Sequence, residues 1–192
     1  MRIMTILGSP RREGNTAEVL GWIEDQFKSE RHEVDRADML DYSVPGCGEC
    51  MACKKGTVEL CSIQDDANGL FRRMATSDLV LIAAPIFCWG FPAQIKGLID
   101  RMYCMMDFEG ERTDVPRLHG KPIGLLLTGG GEEADNADLV LRSFEQLVYW
   151  LKGRLAGHLF MGGCTEPEGI GEEAKVRAIG FARRLTGAER CL

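Results

Sequence analysis

The sequence predicts an α/β fold in which an open parallel sheet of five strands carries helices on both faces. Apolar segments and amphipathic helical segments alternate five times along the chain, the pattern that right-handed β-α-β crossovers produce. The clearest strand is 78–85, D-L-V-L-I-A-A-P, an apolar run closed by proline that suits the interior of a parallel sheet. At 192 residues the chain can bury a sizeable core, and we predict a single domain over 1–192.

The other elements follow from the same hydrophobic periodicity. The N-terminal run 3–7 is rich in β-branched residues and precedes an amphipathic helix predicted over 16–29. Further along, the pattern predicts a peripheral strand at 32–37, a helix from about 65 to 75, a helix that begins near Pro92, a strand at 121–128, a helix over 135–152, a strand at 155–161 and a last helix over 171–186. Two segments are irregular: a cysteine-rich loop at 41–62 and a polar insertion at 107–119.

The amino-acid composition argues against two classes of binding partner. A net charge of −6 argues against nucleic acid and anionic membranes, because both are bound by basic surfaces. Positive charge is local, as in Arg11-Arg12, which fits a small anionic ligand. The N-terminal apolar run is too short for a signal peptide, and no window approaches the ~20 apolar residues of a membrane span. We therefore expect a cytoplasmic protein.

The segment 3–16, I-M-T-I-L-G-S-P-R-R-E-G-N-T, predicts a phosphate site. A strand, a polar loop and a helix N-terminus in this order direct main-chain N–H groups and the helix dipole at one point. The side chains that can add hydrogen bonds to a phosphate are Ser9, Arg11, Asn15 and Thr16. Neither G-x-x-x-x-G-K-[ST] nor G-x-G-x-x-G occurs here, so the two best-known nucleotide loops are excluded. An ordinary polar loop that caps the helix is the alternative.

Four of the eight cysteines form a cluster in the loop 41–62. Its spacing is C-x2-C-x2-C-x7-C, at Cys47, Cys50, Cys53 and Cys61. Without a sign of secretion, such a cluster indicates a metal or redox site rather than disulfides. Four thiolates fit a [4Fe–4S] cluster or a tetrahedral zinc, and free or redox-active thiols remain the alternative. The other four cysteines, at 88, 104, 164 and 191, are scattered and are expected to act as small apolar residues.

Three segments together resemble a known family. The loop G-S-P-R-R-E-G-N-T and the later segment 84–101, A-P-I-F-C-W-G-F-P-A-Q-I-K-G-L-I-D-R, are similar to the flavin loops of the flavodoxin-like NAD(P)H-dependent FMN reductases. The cysteine cluster resembles that of the subgroup called iron-sulfur flavoproteins, although the last spacing is longer than in that subgroup. The matches occur in the family's order over about the first two-thirds of the chain.

The resemblance implies a flavodoxin-like sheet of order 2-1-3-4-5, with FMN bound where the strand order reverses. It assigns the FMN phosphate to the loop after the first strand. The flavin ring would lie along Pro85, Ile86, Phe87, Trp89 and Gly90, and a third loop would contribute Thr128, Gly129 and Gly130. For Phe87 and Trp89 the alternative is core packing, and for the glycines it is a flexible linker.

The resemblance also implies the chemistry. NAD(P)H or a reduced carrier would reduce FMN, which would pass electrons to a flavin, a quinone or an iron-sulfur acceptor such as ferredoxin. No side-chain acid or base is required, so we nominate no catalytic residue. A non-enzymatic electron carrier, or a thiol- or metal-binding redox protein, is the alternative. The family forms homodimers or homotetramers, for which the apolar run after Arg101 is a candidate interface or simply core, and Lys96 and Asp100 are spaced for a surface ion pair.

Overall fold

The structure is built on a parallel sheet of five strands in the order β2-β1-β3-β4-β5. The computed structural model describes residues 1–106, 117–165 and 170–188. Every neighbouring pair of strands runs parallel, as expected where helices connect successive strands. The strands are β1 (Arg2–Leu7), β2 (Glu33–Asp38), β3 (Leu79–Pro85), β4 (Pro122–Thr128) and β5 (Arg154–Met161). The predicted fold class and strand order are confirmed.

Helices cover both faces of this sheet. In the described part of the chain they are α1 (Asn15–Ser29), α2 (Ala67–Thr76), α3 (Ala93–Arg101), α4 (Glu133–Asn136), α5 (Asp138–Trp150) and α6 (Glu172–Thr186), with 3₁₀ turns at Met39–Asp41 and Met102–Met105. Alternate residues of β3 serve the two layers: Leu81 packs with α1 and α6, and Ile82 packs with α2, α3 and α5. This two-sided burial explains why β3 is apolar throughout.

The helix predicted over 135–152 differs from the observed structure. Two helices, α4 and α5, occupy this region and are separated at Ala137, whose backbone lies at φ −99° and ψ −17°. The break follows Asn136, which packs against the glycine loop after β4. Asparagine has a low helix propensity, so the packing of this one side chain can redirect the chain at little cost.

The apolar run Met102–Met105 after α3 is mainly part of the core, because Met102 and Met105 are buried. A subunit interface is therefore not needed to explain why this run is apolar. Homo-oligomer formation stays a prediction. Residues 107–116 of the predicted irregular insertion lie outside the described residues. Among the described helices, none combines the length and apolar character needed to cross a bilayer.

The long cysteine-containing loop is tied to the body of the protein at both ends. Near its start, the Ser43 N–H donates to the Asp66 carboxylate (2.7 Å). Near its end, the Asn68 side chain bonds both the N–H (3.0 Å) and the carbonyl (2.9 Å) of Cys61, and Leu60 is buried. The loop is therefore anchored at both ends, while its middle, including Cys47 and Cys50, is exposed.

Gly97 of α3 lets the helix pack directly on the backbone of this loop. A Cβ at this position would overlap the Val44 carbonyl oxygen and lie 3.2 Å from that of Pro45. Because backbone cannot rotate away, we expect Gly97→Ala to lower the free energy of unfolding by about 1–3 kcal/mol, the usual cost of overpacking. Chemical denaturation measures the change.

Gly21 in α1 provides the matched control for that measurement. A Cβ at Gly21 would meet no atom within 4 Å, so Gly21→Ala should be neutral or stabilise the fold by up to about 1 kcal/mol through helix propensity. Equal effects of the two substitutions would contradict the role assigned to Gly97.

Candidate functional site

A crevice opens at the C-terminal ends of β1, β3 and β4, where the strand order reverses. Its volume is about 240 Å³. Loops that are distant in sequence contribute its walls, because parallel strands deliver all their C-terminal loops to the same edge. The lining residues are Ser9, Pro10, Arg11, Gly14, Asn15, Thr16, Pro85, Phe87, Thr128, Cys164 and Thr165. All four residues predicted to hold a phosphate are among them.

The N-terminus of α1 faces this crevice without a capping side chain. Its N-cap is Gly14, which has no side chain to accept hydrogen bonds from the first turn. A Cβ at Gly14 would lie 3.2 Å from the Cβ of Arg11, so glycine allows the loop to fold tightly here. The first-turn N–H groups and about half a positive charge from the helix dipole are left for a ligand.

The two adjacent arginines of this loop have different environments. Arg12 pairs with Asp41 (2.6 Å) and Asp38 (3.4 Å), and the Asp41 hydrogen bond raises the pKa of Arg12. Arg11 lines the crevice, and within the residues that the structure describes no carboxylate pairs with it. The sequence analysis assigned the phosphate to Arg11, and of these two arginines Arg11 is the one that has no described carboxylate partner at the crevice.

The hydroxyl groups that line the site already form hydrogen bonds within the protein. Ser9 is buried, and its Oγ accepts a hydrogen bond from the Arg11 N–H (3.1 Å). The hydroxyls of Thr16 and Thr128, both buried, lie 2.6 Å apart. That bond joins the first turn of α1 to the end of β4, and it holds two walls of the crevice in register.

The turn after β3 is strained. Phe87 and Gly90 bond each other's backbones (3.0 and 3.1 Å), and the two residues between them, Cys88 and Trp89, have φ values of 49° and 58°. Non-glycine residues in this left-handed region cost roughly 1–2 kcal/mol each, and such strain concentrates at functional sites.

The residues predicted to contact the flavin ring fall into two groups, those that line the crevice and those that do not. Phe87 and Trp89 are 48% and 59% exposed, so neither is a core residue. Pro85 and Phe87 line the crevice, whereas the Trp89 indole donates to the Asp135 carbonyl (3.2 Å). Ile86, Trp89 and Gly90 do not line the crevice as it stands.

The glycine loop after β4 is ordered by hydrogen bonds. The Gly129 N–H donates to the Met161 carbonyl (3.0 Å), and the Gly129 carbonyl accepts from the Cys164 N–H (2.9 Å). This loop is thus packed against the loop after β5 rather than free as a linker. Thr128 lines the crevice, whereas Gly129 and Gly130 do not.

Sequence reasoning missed the contribution of the loop after β5. Cys164 and Thr165 line the crevice, and burial raises the pKa of the Cys164 thiol despite hydrogen bonds from the Gly129 backbone and the Asn15 side chain. The position of the loop at the C-terminal end of a parallel strand was the available signal, because that end is where ligands bind.

The four clustered cysteines surround a second, smaller cavity of about 50 Å³. Its wall is completed by residues at and beyond the C-terminal end of α3. The lining residues are Cys47, Gly48, Glu49, Cys50, Met51, Cys53, Cys61, Ser62, Ile63, Arg101, Tyr103 and Cys104. The spacing prediction that the four cysteines lie together agrees with this cavity, and it shares no lining residue with the crevice.

These sulfurs do not form a compact single-ion site. Within residues 1–106, 117–165 and 170–188, no three histidine, cysteine or acidic side chains are arranged to hold one metal ion. A tetrahedral zinc needs its sulfurs about 2.3 Å from one point. A [4Fe–4S] cluster takes one thiolate at each of its four irons, so four cysteines match either group in number.

The thiols around this second cavity differ in acidity. A hydrogen bond with the Ser62 hydroxyl (3.0 Å) lowers the pKa of Cys50, whereas burial raises the pKa of Cys53. Cys104 belongs to the hydrophobic core, and burial raises its pKa to about 12. Of these three thiols, Cys50 ionises most easily, and Cys104 behaves as a small apolar residue, as predicted.

The charged residues of the segment 84–101 also differ in their exposure to solvent. Lys96 and Asp100 form the exposed ion pair (2.6 Å) that their spacing predicts, a contact of little energetic weight. Arg101 is fully buried and forms an ion pair with Asp65. The sequence pattern did not distinguish this buried arginine from its exposed neighbours.

A parallel sheet of this order, with a ligand crevice at its switch point, defines the flavodoxin-like fold class. Within that class the chain belongs to the NADPH-dependent FMN reductase family, whose sequence model matches residues 1–160. Membership of the family and likeness to its iron-sulfur flavoprotein subgroup, both predicted from three motifs, are confirmed.

Individual relatives agree with this assignment. An iron-sulfur flavoprotein of Methanosarcina thermophila is 33% identical over 101 residues, 53% of this chain and 52% of that protein. An FMN-dependent NADH:quinone oxidoreductase of Leptothrix cholodnii is 31% identical over 130 residues, 65% of this chain and 58% of that protein. The chain spans about half the length of the curated iron-sulfur flavoproteins of Methanosarcina thermophila and Archaeoglobus fulgidus that it matches.

Solved structures show the same fold at low sequence identity. An NAD(P)H:quinone oxidoreductase from Methanothermobacter marburgensis has a TM-score of 0.70 at 17% identity, covering 98% of this chain and 97% of that one. An FMN-dependent NADH-azoreductase from Bacillus anthracis, solved in complex with FMN, has a TM-score of 0.73 at 13% identity, covering 96% and 99%. At these identities the likeness concerns the fold alone.

Proposed function

We propose that the protein binds FMN in the crevice and works as an oxidoreductase that takes electrons from NAD(P)H. One observation carries the proposal: Arg11, without a described carboxylate partner, lies beside the uncapped N-terminus of α1 in the crevice at the switch point. A phosphate dianion is stabilised by this combination of a cation and free main-chain N–H groups. Family membership supplies FMN as the phosphate-bearing ligand.

The residues present fit this cofactor. Arg11 and Asn15, with the first-turn N–H groups of α1, are the donors for the phosphate, and Ser9 adds a hydroxyl. Pro85 and Phe87 offer an apolar wall for a flat ring, with Phe87 held by the strained turn. When bound, FMN accepts a hydride from a reduced nicotinamide and releases electrons to an acceptor. The chain's own residues bind and orient the cofactor.

We further propose that Cys47, Cys50, Cys53 and Cys61 hold a [4Fe–4S] cluster. All four line one cavity, and several curated relatives are iron-sulfur flavoproteins. Electrons would then leave singly, to an iron-sulfur protein such as ferredoxin. Without a cluster they would leave as a pair, to a quinone or a flavin, and the Leptothrix relative supports a quinone in that case.

The experiment is to purify the protein without oxygen and measure three quantities on one sample. We expect FMN released on denaturation, about four iron and four sulfide per chain, and bleaching of the flavin absorbance by NADH or NADPH. Riboflavin, which lacks the phosphate, is the control ligand and should bind more weakly to the FMN-free protein. The ratio of rates with NADH and NADPH identifies the preferred donor.

Each outcome supports or contradicts a particular function for the site. A colourless protein that binds neither added FMN nor riboflavin contradicts the main proposal. FMN that binds but is not reduced by either nicotinamide indicates an electron carrier instead of a reductase. FMN with nicotinamide turnover but without iron and sulfide keeps the reductase and rejects the cluster.

A further inference from the structure

We propose that Thr128 directs the hydroxyl hydrogen of Thr16 toward the phosphate of FMN, so that the two threonines act as a relay of hydrogen bonds. The inference rests on the proposed binding of FMN in the crevice and extends it to the last residue of β4. Thr128 is a positioning residue in this relay, because it acts on the ligand through Thr16.

The two hydroxyl groups lie in the wall of the crevice and bond each other. Both residues line the crevice, each is 3% exposed, and the two Oγ1 atoms are 2.6 Å apart. In the described part of the chain, neither hydroxyl has another hydrogen-bond partner. The pair carries two hydrogens and the bond between the residues uses one of them. One hydroxyl hydrogen therefore remains for a ligand, and at this depth it is costly to leave without an acceptor.

The chemistry of the ligand decides which threonine keeps that hydrogen. Thr16 lies in the first turn of α1, whose N–H groups are the proposed phosphate donors. A phosphate monoester is mostly a dianion at pH 7, and its oxygens then accept hydrogen bonds without donating any. A hydroxyl that faces it must donate, which leaves the Oγ1 lone pairs of Thr16 for the hydrogen of Thr128. The opposite order would turn lone pairs of Thr16 toward an anion.

Ser9 has the same order of hydrogen bonds on another wall of the crevice. Its Oγ accepts from the Arg11 N–H (3.1 Å), and the residue is buried. Its own hydroxyl hydrogen has no acceptor within the residues that the structure describes. With Thr128 as the donor, Thr16 has the same arrangement: a protein donor occupies the hydroxyl oxygen, and the hydrogen is left for an anion.

The backbone of Thr128 is held on both sides, which suits a positioning role. Its carbonyl accepts from the Ile86 N–H (2.8 Å), and in the sheet the residue pairs with Pro85 of β3 and Met161 of β5. Rotation about the Cα–Cβ bond of threonine is also restricted. The hydroxyl therefore keeps one place relative to α1, and successive hydrogen bonds strengthen each other at a site shielded from water.

The test measures the affinities of FMN and riboflavin for the full chain freed of FMN. Thr128→Val keeps the shape of the side chain and removes the hydroxyl, so it should raise the Kd of FMN roughly threefold to tenfold, the scale of one neutral hydrogen bond. Thr16→Val removes the direct donor to the phosphate and should raise that Kd roughly tenfold or more. Riboflavin lacks the phosphate, and its Kd should stay close to the wild-type value in both variants.

The double variant tests whether Thr128 acts through Thr16. In the Thr16→Val background the relay has lost its middle member, so adding Thr128→Val should not weaken FMN binding further. Thr128→Ser keeps the donor and should restore the wild-type affinity. Equal weakening of FMN by Thr128→Val in both backgrounds overturns the relay, because Thr128 would then act on the ligand independently.

A purely structural role for the bond would be visible with riboflavin. If the bond only holds β4 against α1, Thr128→Val weakens both flavins alike, and that result overturns the proposal. Thr5 is the matched control: its hydroxyl is buried and donates to Glu24 at the same distance of 2.6 Å, but the residue does not line the crevice. Thr5→Val should leave the ratio of FMN affinity to riboflavin affinity unchanged.

The remaining outcomes also decide between the proposals. If Thr128→Val does not fold, Thr128→Ala removes the same hydroxyl and is judged by the same ratio of affinities. A wild-type protein that binds no FMN overturns the proposed cofactor and the relay together. Normal FMN binding by the wild type, with an unchanged Kd in both valine variants, overturns the relay alone.

Discussion

Replacing Cys50 by serine is expected to remove nearly all iron and sulfide from the protein and to leave FMN binding unchanged. Cys50 is exposed on the loop, and its thiol is made more acidic by the hydrogen bond with Ser62, so it supplies the thiolate that iron requires. FMN should be retained because the cysteine cavity and the crevice have no lining residue in common. Iron, sulfide and extracted FMN are measured on the same preparation.

Cys104 offers the control for that variant. It lines the same cavity but belongs to the hydrophobic core, so Cys104→Ala should keep its iron. Equal iron loss in both variants would show that iron is lost whenever any thiol in the cavity wall is changed. The loss would then not identify Cys50 as one of four ligands. Full iron content in Cys50→Ser would reject the assigned ligand set.

Replacing Arg11 by alanine is expected to weaken FMN binding by about 1.5–3 kcal/mol, the scale of a hydrogen bond to a charged group. This corresponds to a Kd roughly tenfold to 150-fold higher. Riboflavin affinity should not change, because the lost contact is with the phosphate. Fluorescence titration of FMN-free protein with both ligands measures the difference.

Arg12→Ala is the control for this test. It shows whether FMN binding depends on the position of Arg11 or on the total charge of the loop. Arg12→Ala removes the same charge from the same loop, but Arg12 is committed to Asp38 and Asp41, so FMN affinity should stay close to the wild-type value. If Arg12→Ala weakens FMN as much as Arg11→Ala does, the loop acts through its overall charge. If neither does, the phosphate lies elsewhere.

Most of the fold was predictable because parallel sheets leave strong local signals. A strand buried on both faces must be apolar throughout, and β3 is; a helix on the sheet must be apolar on one side, and α1 has this pattern. Strand order has no local signal and came from the family resemblance. The break at Ala137 was missed because it depends on the packing of Asn136 against a distant loop.

All four residues predicted for the phosphate line the crevice, whereas two of the five predicted ring contacts, Pro85 and Phe87, line it. Helix N-termini bind anions through backbone geometry that sequence order reveals, so Ser9, Arg11, Asn15 and Thr16 were found together. Ring contacts depend on how a turn is oriented. Trp89 looked like a ring contact in the sequence, yet the left-handed turn directs its indole toward Asp135.

The sequence by itself determined the α/β class, the clustered cysteines and the family, and it predicted the phosphate loop, because each depends on residues close together in the chain. Only the tertiary structure decided which of two adjacent arginines is available, since the partners of Arg12 lie at the end of β2 and just beyond it. It also brought Arg101 into a buried ion pair with Asp65 across 36 positions of sequence. Charge compensation is a property of neighbours in space, and adjacency in sequence does not reveal it.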